Sequence, residues 1–295
     1  MCLLCSCVNR SGKGNVPEAG KYVLQLPSPP VMMDAAGQRD YICRHFWDNL
    51  DFSDSTIPSR IDSASFRSSF IRFAAYLSEQ PDGGVSLMED LMEKAGQNAP
   101  MLDLFGGLCR MAFYDPNSPM RSDDLYLPVL EAISNSSFKD EESRAEADAT
   151  AILISRNRPG MRAEDFSYLT IQNRPGSLYG INAPYTLVFF SNPGCEMCRA
   201  IREAMLQSSV ITEMVRSRKL AVLALYPDED TDLWLSYRDE IPSDWINARD
   251  PGSTISESGL YDLKAIPSLY LLDADKTVLL KDCTEVRQIE AALSE

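Results

Sequence analysis

The sequence is poor in histidine and in positive charge, and each shortage narrows the possible functions. His45 is the single histidine in 295 residues, which excludes metal sites built on several histidines and any Ser-His or Cys-His mechanism that needs a second one. Lysine and arginine total 28 against 43 acidic residues, so the net charge is −15. That charge argues against nucleic acid or an anionic membrane surface as the main partner.

Long apolar runs are also missing. No segment of the sequence approaches the ~20 consecutive apolar residues of a membrane-spanning helix. Eight cysteines in a chain of this length are too few and too scattered for a disulfide-stabilised scaffold. The composition, 44% hydrophobic and 24% charged, is that of an ordinary globular protein, and the length suffices for two domains that each have a core.

The first 30 residues form a separate segment. It begins MCLLCSCVNRSGKG, and Leu4-Cys5-Ser6-Cys7 resembles a bacterial lipobox, with an aliphatic residue three positions before Cys7 and a small residue directly before it. The residues before Cys7 are too few for a basic and an apolar signal-peptide region. The interpretation is that Cys7 is lipidated and that the full gene product starts upstream of Met1. The alternative is a disordered terminus that carries cysteines. A linker or extended arm is predicted from residue 8 to the PSPP sequence at 27–30.

Residues 31–160 are predicted to form an all-α domain. Apolar side chains recur there at helical spacing, for example at Phe66, Phe70 and Phe73. An alanine-rich helix is expected to start after Asp140. No stretch of this region has the alternating pattern of a strand, and the sequence does not indicate what the domain does.

The pattern changes in residues 161–295. Two near-continuous apolar runs, TLVFF at 186–190 and KLAVLALY at 219–226, are typical of strands covered on both faces. A hairpin precedes them, and a second hairpin, at 269–280, is followed by a closing helix. The predicted order is β-hairpin, β, α, β, α, β, β, α, which is an α/β domain with a central mixed sheet flanked by helices.

Cys195 and Cys198 stand where the first of these strands gives way to a helix, in the sequence SNPGCEMCRA. Such a pair is a redox couple, half of a metal site or a structural disulfide. A zinc site needs about four ligands and this motif supplies two, so no metal ligand is predicted. A helix N-terminus favours the thiolate form of a cysteine, which favours the redox couple. A structural disulfide stays open as the alternative.

The order of elements around this motif resembles thioredoxin, and the leading hairpin resembles the envelope-anchored TlpA/ResA branch. The stretches that carry the resemblance are DFSYLT at 165–170, FFSNPGCEMC at 189–198 and YDLKAIPSLYLLDADK at 261–276. As a whole the chain is similar to thioredoxin-like lipoproteins with a helical N-terminal domain of unknown function. It departs from the family in having Gly194 in place of tryptophan, Met197 in place of proline and Ile201 in place of a frequent glutamate.

The resemblance implies roles for individual residues. Cys195 is expected to attack a substrate disulfide and Cys198 to resolve the mixed disulfide. The Ile266-Pro267 bond is expected to be cis and to leave neighbouring backbone groups free to pair with a substrate strand. Glu196 and Met197 are expected to support that site.

A thiol-disulfide oxidoreductase of the cell envelope is therefore expected, with no cofactor besides the Cys195–Cys198 pair. The implied partners are protein disulfides or thiols and a membrane electron donor, with no nucleic acid and membrane contact through the lipid anchor alone. Glu196 shares the positive helix end with the Cys195 thiolate and disfavours that thiolate. The prediction is accordingly a disulfide reductase, not an oxidant. The alternative is a non-catalytic envelope lipoprotein that uses the domain to bind proteins.

Overall fold

A computed structural model describes residues 21–77, 79–80 and 83–294. The chain divides into two compact units between Leu108 and Cys109. The sequence predicts a domain boundary after residue 160, which falls inside the second unit. In the described part of the chain no helix is long and apolar enough to cross a membrane.

The first unit is helical, as the spacing of its apolar residues predicts. Its helices are α1 (Ala35–Arg44), α2 (Ile57–Arg60), α3 (Ser63–Leu77), α4 (Val85–Ala95) and α5 (Ala99–Cys109). Aromatic side chains fill its core: the Trp47 ring lies 5.6 Å from the ring of Phe66, 5.3 Å from that of Phe73 and 5.0 Å from that of Phe105. Burial of these rings supplies much of the hydrophobic stabilisation of the unit.

Two further helices, α6 (Asp123–Ser134) and α7 (Glu141–Ser155), belong to the second unit and follow a π-helical turn at Arg110–Tyr114. The sequence predicts α7 but not α6, because Pro128 inside α6 is a helix-breaking signal. The start of α6 is nevertheless well capped, since the Ser122 hydroxyl accepts a hydrogen bond from the Leu125 amide at 3.3 Å.

The rest of the second unit is built on one mixed sheet. Its strands are β1 (Ser167–Thr170), β2 (Pro175–Ser177), β3 (Tyr185–Phe190), β4 (Leu220–Tyr226), β5 (Ile246–Arg249), β6 (Ser268–Leu272) and β7 (Val278–Leu280). They lie in the order β2-β1-β5-β4-β3-β6-β7. β3 runs parallel to β4, and β4 parallel to β5, whereas β6 is antiparallel to β3.

Both faces of the central strands β3, β4 and β6 are buried, as the apolar runs of β3 and β4 predict. The helices that follow β3 are α8 (Glu196–Gln207), α9 (Ser209–Arg216), α10 (Thr231–Ser236), α11 (Thr254–Glu257) and α12 (Val286–Leu293). Leu187 and Phe189 pack in one cluster with residues of α8, α9 and α12. Val188 and Phe190 point the other way, into a cluster that contains Tyr261. This alternation places α8 on a defined face of the sheet.

The register of β3 and β6 brings two distant segments together. Phe190, the last residue of β3, pairs with Ser268, the first residue of β6. Because these strands are antiparallel, the chain that leaves β3 and the chain that enters β6 meet at one edge of the sheet. β4 is parallel to β3 and ends at Tyr226 beside that same edge.

Candidate functional site

The two predicted cysteines lie at the N-terminus of α8, where they form a disulfide with a Cα–Cα distance of 5.2 Å. Cys195 is the N-cap residue of this helix, and its Sγ accepts a hydrogen bond from the Cys198 amide at 3.1 Å. Gly194, with φ +73°, makes the turn that leads into the helix. A helix N-terminus with a free amide aimed at sulfur stabilises negative charge on that sulfur.

The two cysteine residues differ in access to solvent. Cys198 is 2% exposed and belongs to an apolar cluster that also holds Ile201, whereas Cys195 is half-buried. An incoming disulfide therefore reaches Cys195 first. Other described thiols are poor nucleophiles, since burial raises the pKa of Cys43 to about 12 and also raises that of Cys283.

The segment before β6 faces the cysteine pair. The Ile266–Pro267 peptide bond is cis, the form that the motif predicts. The Ile266 carbonyl oxygen lies 3.9 Å from Cys195 Sγ, so this predicted support segment is in contact with the sulfur. Glu196 and Met197 are exposed in the first turn of α8, and Met197 keeps 61% of its surface in solvent. All the predicted residues of the pair and its surroundings thus lie together, while Cys7 is outside the described residues.

A pocket of about 290 Å³ opens beside Cys195, and nothing in the sequence predicts it. Its walls include Gly194, Trp234 and Tyr237. Arg202 of α8 and Glu240 also line the pocket and form an ion pair of 2.6 Å. Its walls come from four separate parts of the chain, so no local spacing in the sequence signals it.

A group of buried charges supports the segment that leads to Ile266. Lys264 Nζ lies 2.8 Å from Asp262 Oδ2 and 3.2 Å from Asp123 Oδ1, and Lys281 Nζ lies 2.7 Å from Asp123 Oδ2. Burial pushes up the pKa of Asp123, but the ammonium groups of Lys281 and Lys264 outweigh burial and hold that pKa below its ordinary value. The pKa of Asp262 is raised by burial, although Lys264 opposes the shift.

Metal ligands were not predicted around the cysteine pair. Within the described ranges no three or more histidine, cysteine, aspartate or glutamate side chains are grouped so as to hold a metal ion. His45 lies in the first unit, where its Nδ1 is 2.7 Å from an oxygen of Asp48.

Comparison with known proteins finds a family model for the N-terminal part of the chain and a solved relative of nearly the whole chain. Residues 8–157 match the family model described as a domain of unknown function, DUF5106. A thioredoxin-like protein from Bacteroides caccae is 34% identical, with 92% of this chain and 98% of that chain covered and a TM-score of 0.85. No curated protein matches the chain.

Two further solved structures each cover less than half of this chain. The C-terminal domain of an uncharacterised protein from Bacteroides fragilis is 43% identical over 47% of this chain and 99% of that chain, with a TM-score of 0.46. The thioredoxin domain of a thiol-disulfide oxidoreductase from Bacteroides vulgatus is 17% identical over 46% of this chain and 98% of that chain, with a TM-score of 0.40.

The fold predicted from the sequence is confirmed by the extensive match to the protein from Bacteroides caccae. The prediction of a helical N-terminal domain of unknown function is confirmed by the family model and by the helices described above. The chain belongs to the thioredoxin-like proteins and carries a DUF5106 domain in its N-terminal half.

Proposed function

We propose that the chain is a thiol-disulfide oxidoreductase of the cell envelope and that it reduces protein disulfides through Cys195 and Cys198. The observation that carries the proposal is the position of Cys195. Cys195 is half-buried, and its Sγ accepts a hydrogen bond from the Cys198 amide at 3.1 Å and lies 3.9 Å from the Ile266 carbonyl oxygen. A purely structural disulfide has no need for an accessible sulfur at a helix N-terminus.

The exchange proceeds in two steps. The Cys195 thiolate attacks one sulfur of the substrate disulfide, forms a mixed disulfide and releases the other substrate sulfur as a thiolate, which takes up a proton. Cys198, as thiolate, then attacks Cys195 Sγ and releases the second substrate thiolate. The substrate gains two electrons and two protons, and the protein is left with the Cys195–Cys198 disulfide. The backbone at Ile266 is proposed to hold the substrate strand during both steps.

The same site supports a proposal for the direction of exchange. The Glu196 carboxylate in the first turn of α8 disfavours the Cys195 thiolate and so disfavours a strongly oxidising couple. We propose protein disulfides as substrates and a dithiol protein at the membrane as the electron donor that reduces the pair again. No cofactor besides the cysteine pair is proposed. Membrane attachment is proposed through a lipid on Cys7, which radiolabelled palmitate tests in the full gene product: wild-type protein is labelled and Cys7→Ser is not.

Trapping tests the exchange itself. Cys198→Ser removes the resolving thiol, so mixed disulfides at Cys195 persist and migrate as adducts with envelope proteins on diagonal gels. The matched control is the double variant Cys195→Ser/Cys198→Ser, which forms none. Absence of Cys195-dependent adducts contradicts catalysis and favours the alternative of a protein-binding lipoprotein. A reduction potential below about −300 mV would mark the pair as a structural disulfide.

A further inference from the structure

We infer that the pocket beside Cys195 binds a basic side chain of the substrate, a lysine or an arginine next to the attacked cysteine. This inference rests on the proposed function and names the class of substrate. The pocket has a volume of about 290 Å³, at the small end of ligand sites, and suits one long side chain. Cys195 and Gly194 form part of its wall, so a residue bound in it is adjacent to the reacting sulfur.

Aromatic rings provide the first reason for a cation. Trp234, Tyr237 and Tyr226 line the pocket. The Trp234 indole N–H already donates to Asn247 Oδ1 at 3.0 Å, so this ring is fixed in place and needs no hydrogen bond from a ligand. The faces of such rings attract ammonium and guanidinium groups.

Charge near the pocket provides the second reason. Arg202 is neutralised by Glu240 at 2.6 Å, and the exposed Arg199 is offset by the exposed Glu196, which also lines the pocket. The Asp228 carboxylate, which accepts a hydrogen bond from the lining residue Asn192 at 3.1 Å, leaves a negative charge beside the pocket that favours a cation.

Gly194 explains why the pocket is open in this chain. The family resemblance places a tryptophan at this position, and that side chain is absent here. A Cβ added to Gly194 would lie 3.4 Å from the Tyr237 hydroxyl. Any larger side chain at residue 194 therefore competes with a ligand for the space between Cys195 and Tyr237.

The test uses disulfide-linked peptides that differ at one position beside the cysteine, where they carry lysine, norleucine or glutamate. The reduced full-length protein is expected to reduce the lysine peptide with a kcat/KM about threefold to tenfold above that for norleucine. Glutamate is expected to be the poorest substrate. Added salt is expected to shrink the preference for lysine.

Variants test which residues cause the preference for the lysine peptide. Tyr237→Leu is expected to bring the lysine-to-norleucine ratio close to one, and far-UV circular dichroism with urea unfolding checks that this variant keeps its fold. Tyr237→Phe keeps the ring and is expected to keep the ratio. Asp239→Asn is the control for charge, because Asp239 is 96% exposed and does not line the pocket.

A binding measurement distinguishes failure of this inference from failure of the proposed function. Peptides with serine in place of cysteine cannot exchange, and their binding to the oxidised protein is followed by the NMR signal of the Trp234 indole N–H. Tighter binding of the lysine peptide supports the inference even if no peptide is reduced, a result that contradicts the proposed function alone. Equal binding of all three peptides, or tightest binding of norleucine, overturns the inference.

Discussion

Lys264 forms an ion pair with Asp123 at 3.2 Å, although 141 residues separate them in the chain. Lys264 stands two residues before Ile266, whose carbonyl oxygen faces Cys195. Asp123 is the first residue of α6 and also pairs with Lys281 at 2.7 Å. A helix within the match to the DUF5106 model thus holds the segment that enters the candidate active site.

Removal of Asp123 should destabilise the second unit. The side chains of Lys264 and Lys281 are only 7% and 9% exposed, so Asp123→Ala leaves buried positive charge undercompensated and should cost about 3 kcal/mol. Urea unfolding followed by tryptophan fluorescence measures the change. The control is Asp124→Ala in the same turn of α6, whose side chain is 56% exposed and should cost less than about 1 kcal/mol. Equal costs for both variants would contradict a special role for Asp123.

The effect of Asp123 should depend on pH. The pKa of Asp123 is held below its ordinary value in the folded protein, so its stabilising contribution is complete above the unfolded pKa of about 3.9. That contribution is lost as the pH falls through the folded pKa. The difference in unfolding free energy between wild type and Asp123→Asn should be constant from about pH 8 to about pH 5 and shrink below about pH 4. A difference that grows as the pH falls would contradict a lowered pKa of Asp123 in the folded protein.

Gly194→Ala should slow exchange at Cys195 by more than its effect on stability explains. With φ +73° at residue 194, an alanine costs about 1 kcal/mol in backbone strain, and its Cβ narrows the pocket. Gly252→Ala is the matched control, since Gly252 has φ +83° and nothing within 4 Å of an added Cβ. Both variants should lose similar stability in urea, and only Gly194→Ala should lower the rate of insulin reduction. A similar loss of rate in both variants would show that backbone strain, and not the narrowed pocket, slows the exchange.

Glu196→Gln should make the reduction potential of the cysteine pair less negative. Without the carboxylate, the Cys195 thiolate and hence the reduced form are more stable, by an amount worth about 10 to 20 mV. Equilibration with glutathione measures the potential, and Glu203→Gln, an exposed residue later in α8, is the control. An unchanged potential, or a wild-type value near the −120 mV typical of a periplasmic oxidant, would refute the reductase assignment.

The parts of the site that the sequence predicts are those set by local pattern. The apolar run of β3 identifies a strand buried on both faces, and Cys195 at its end identifies a helix N-terminus. The Ile266-Pro267 sequence before β6 marks the facing segment. Each of these signals lies within about ten residues of chain, where spacing and composition are informative.

The parts that the sequence does not predict depend on contacts between distant residues. β5 (Ile246–Arg249) has one fully buried side chain, Ala248, so it lacks a strand pattern. The pocket combines Asn192 with rings about 40 residues later in the chain. The Asp123–Lys264 pair joins two charges that look solvated in the sequence, and only the fold reveals that they are buried together.

The link from α6 to Lys264 and Lys281 limits how this protein can be recombined with its relatives. A chimera joined near residue 160 takes α6 from one parent and both lysines from the other, so Asp123 and its partners are inherited separately. A chimera joined at Leu108 keeps them in one parental block. Crossovers between Asp123 and Lys264 should therefore be tolerated only where both parents carry matching charges at these positions.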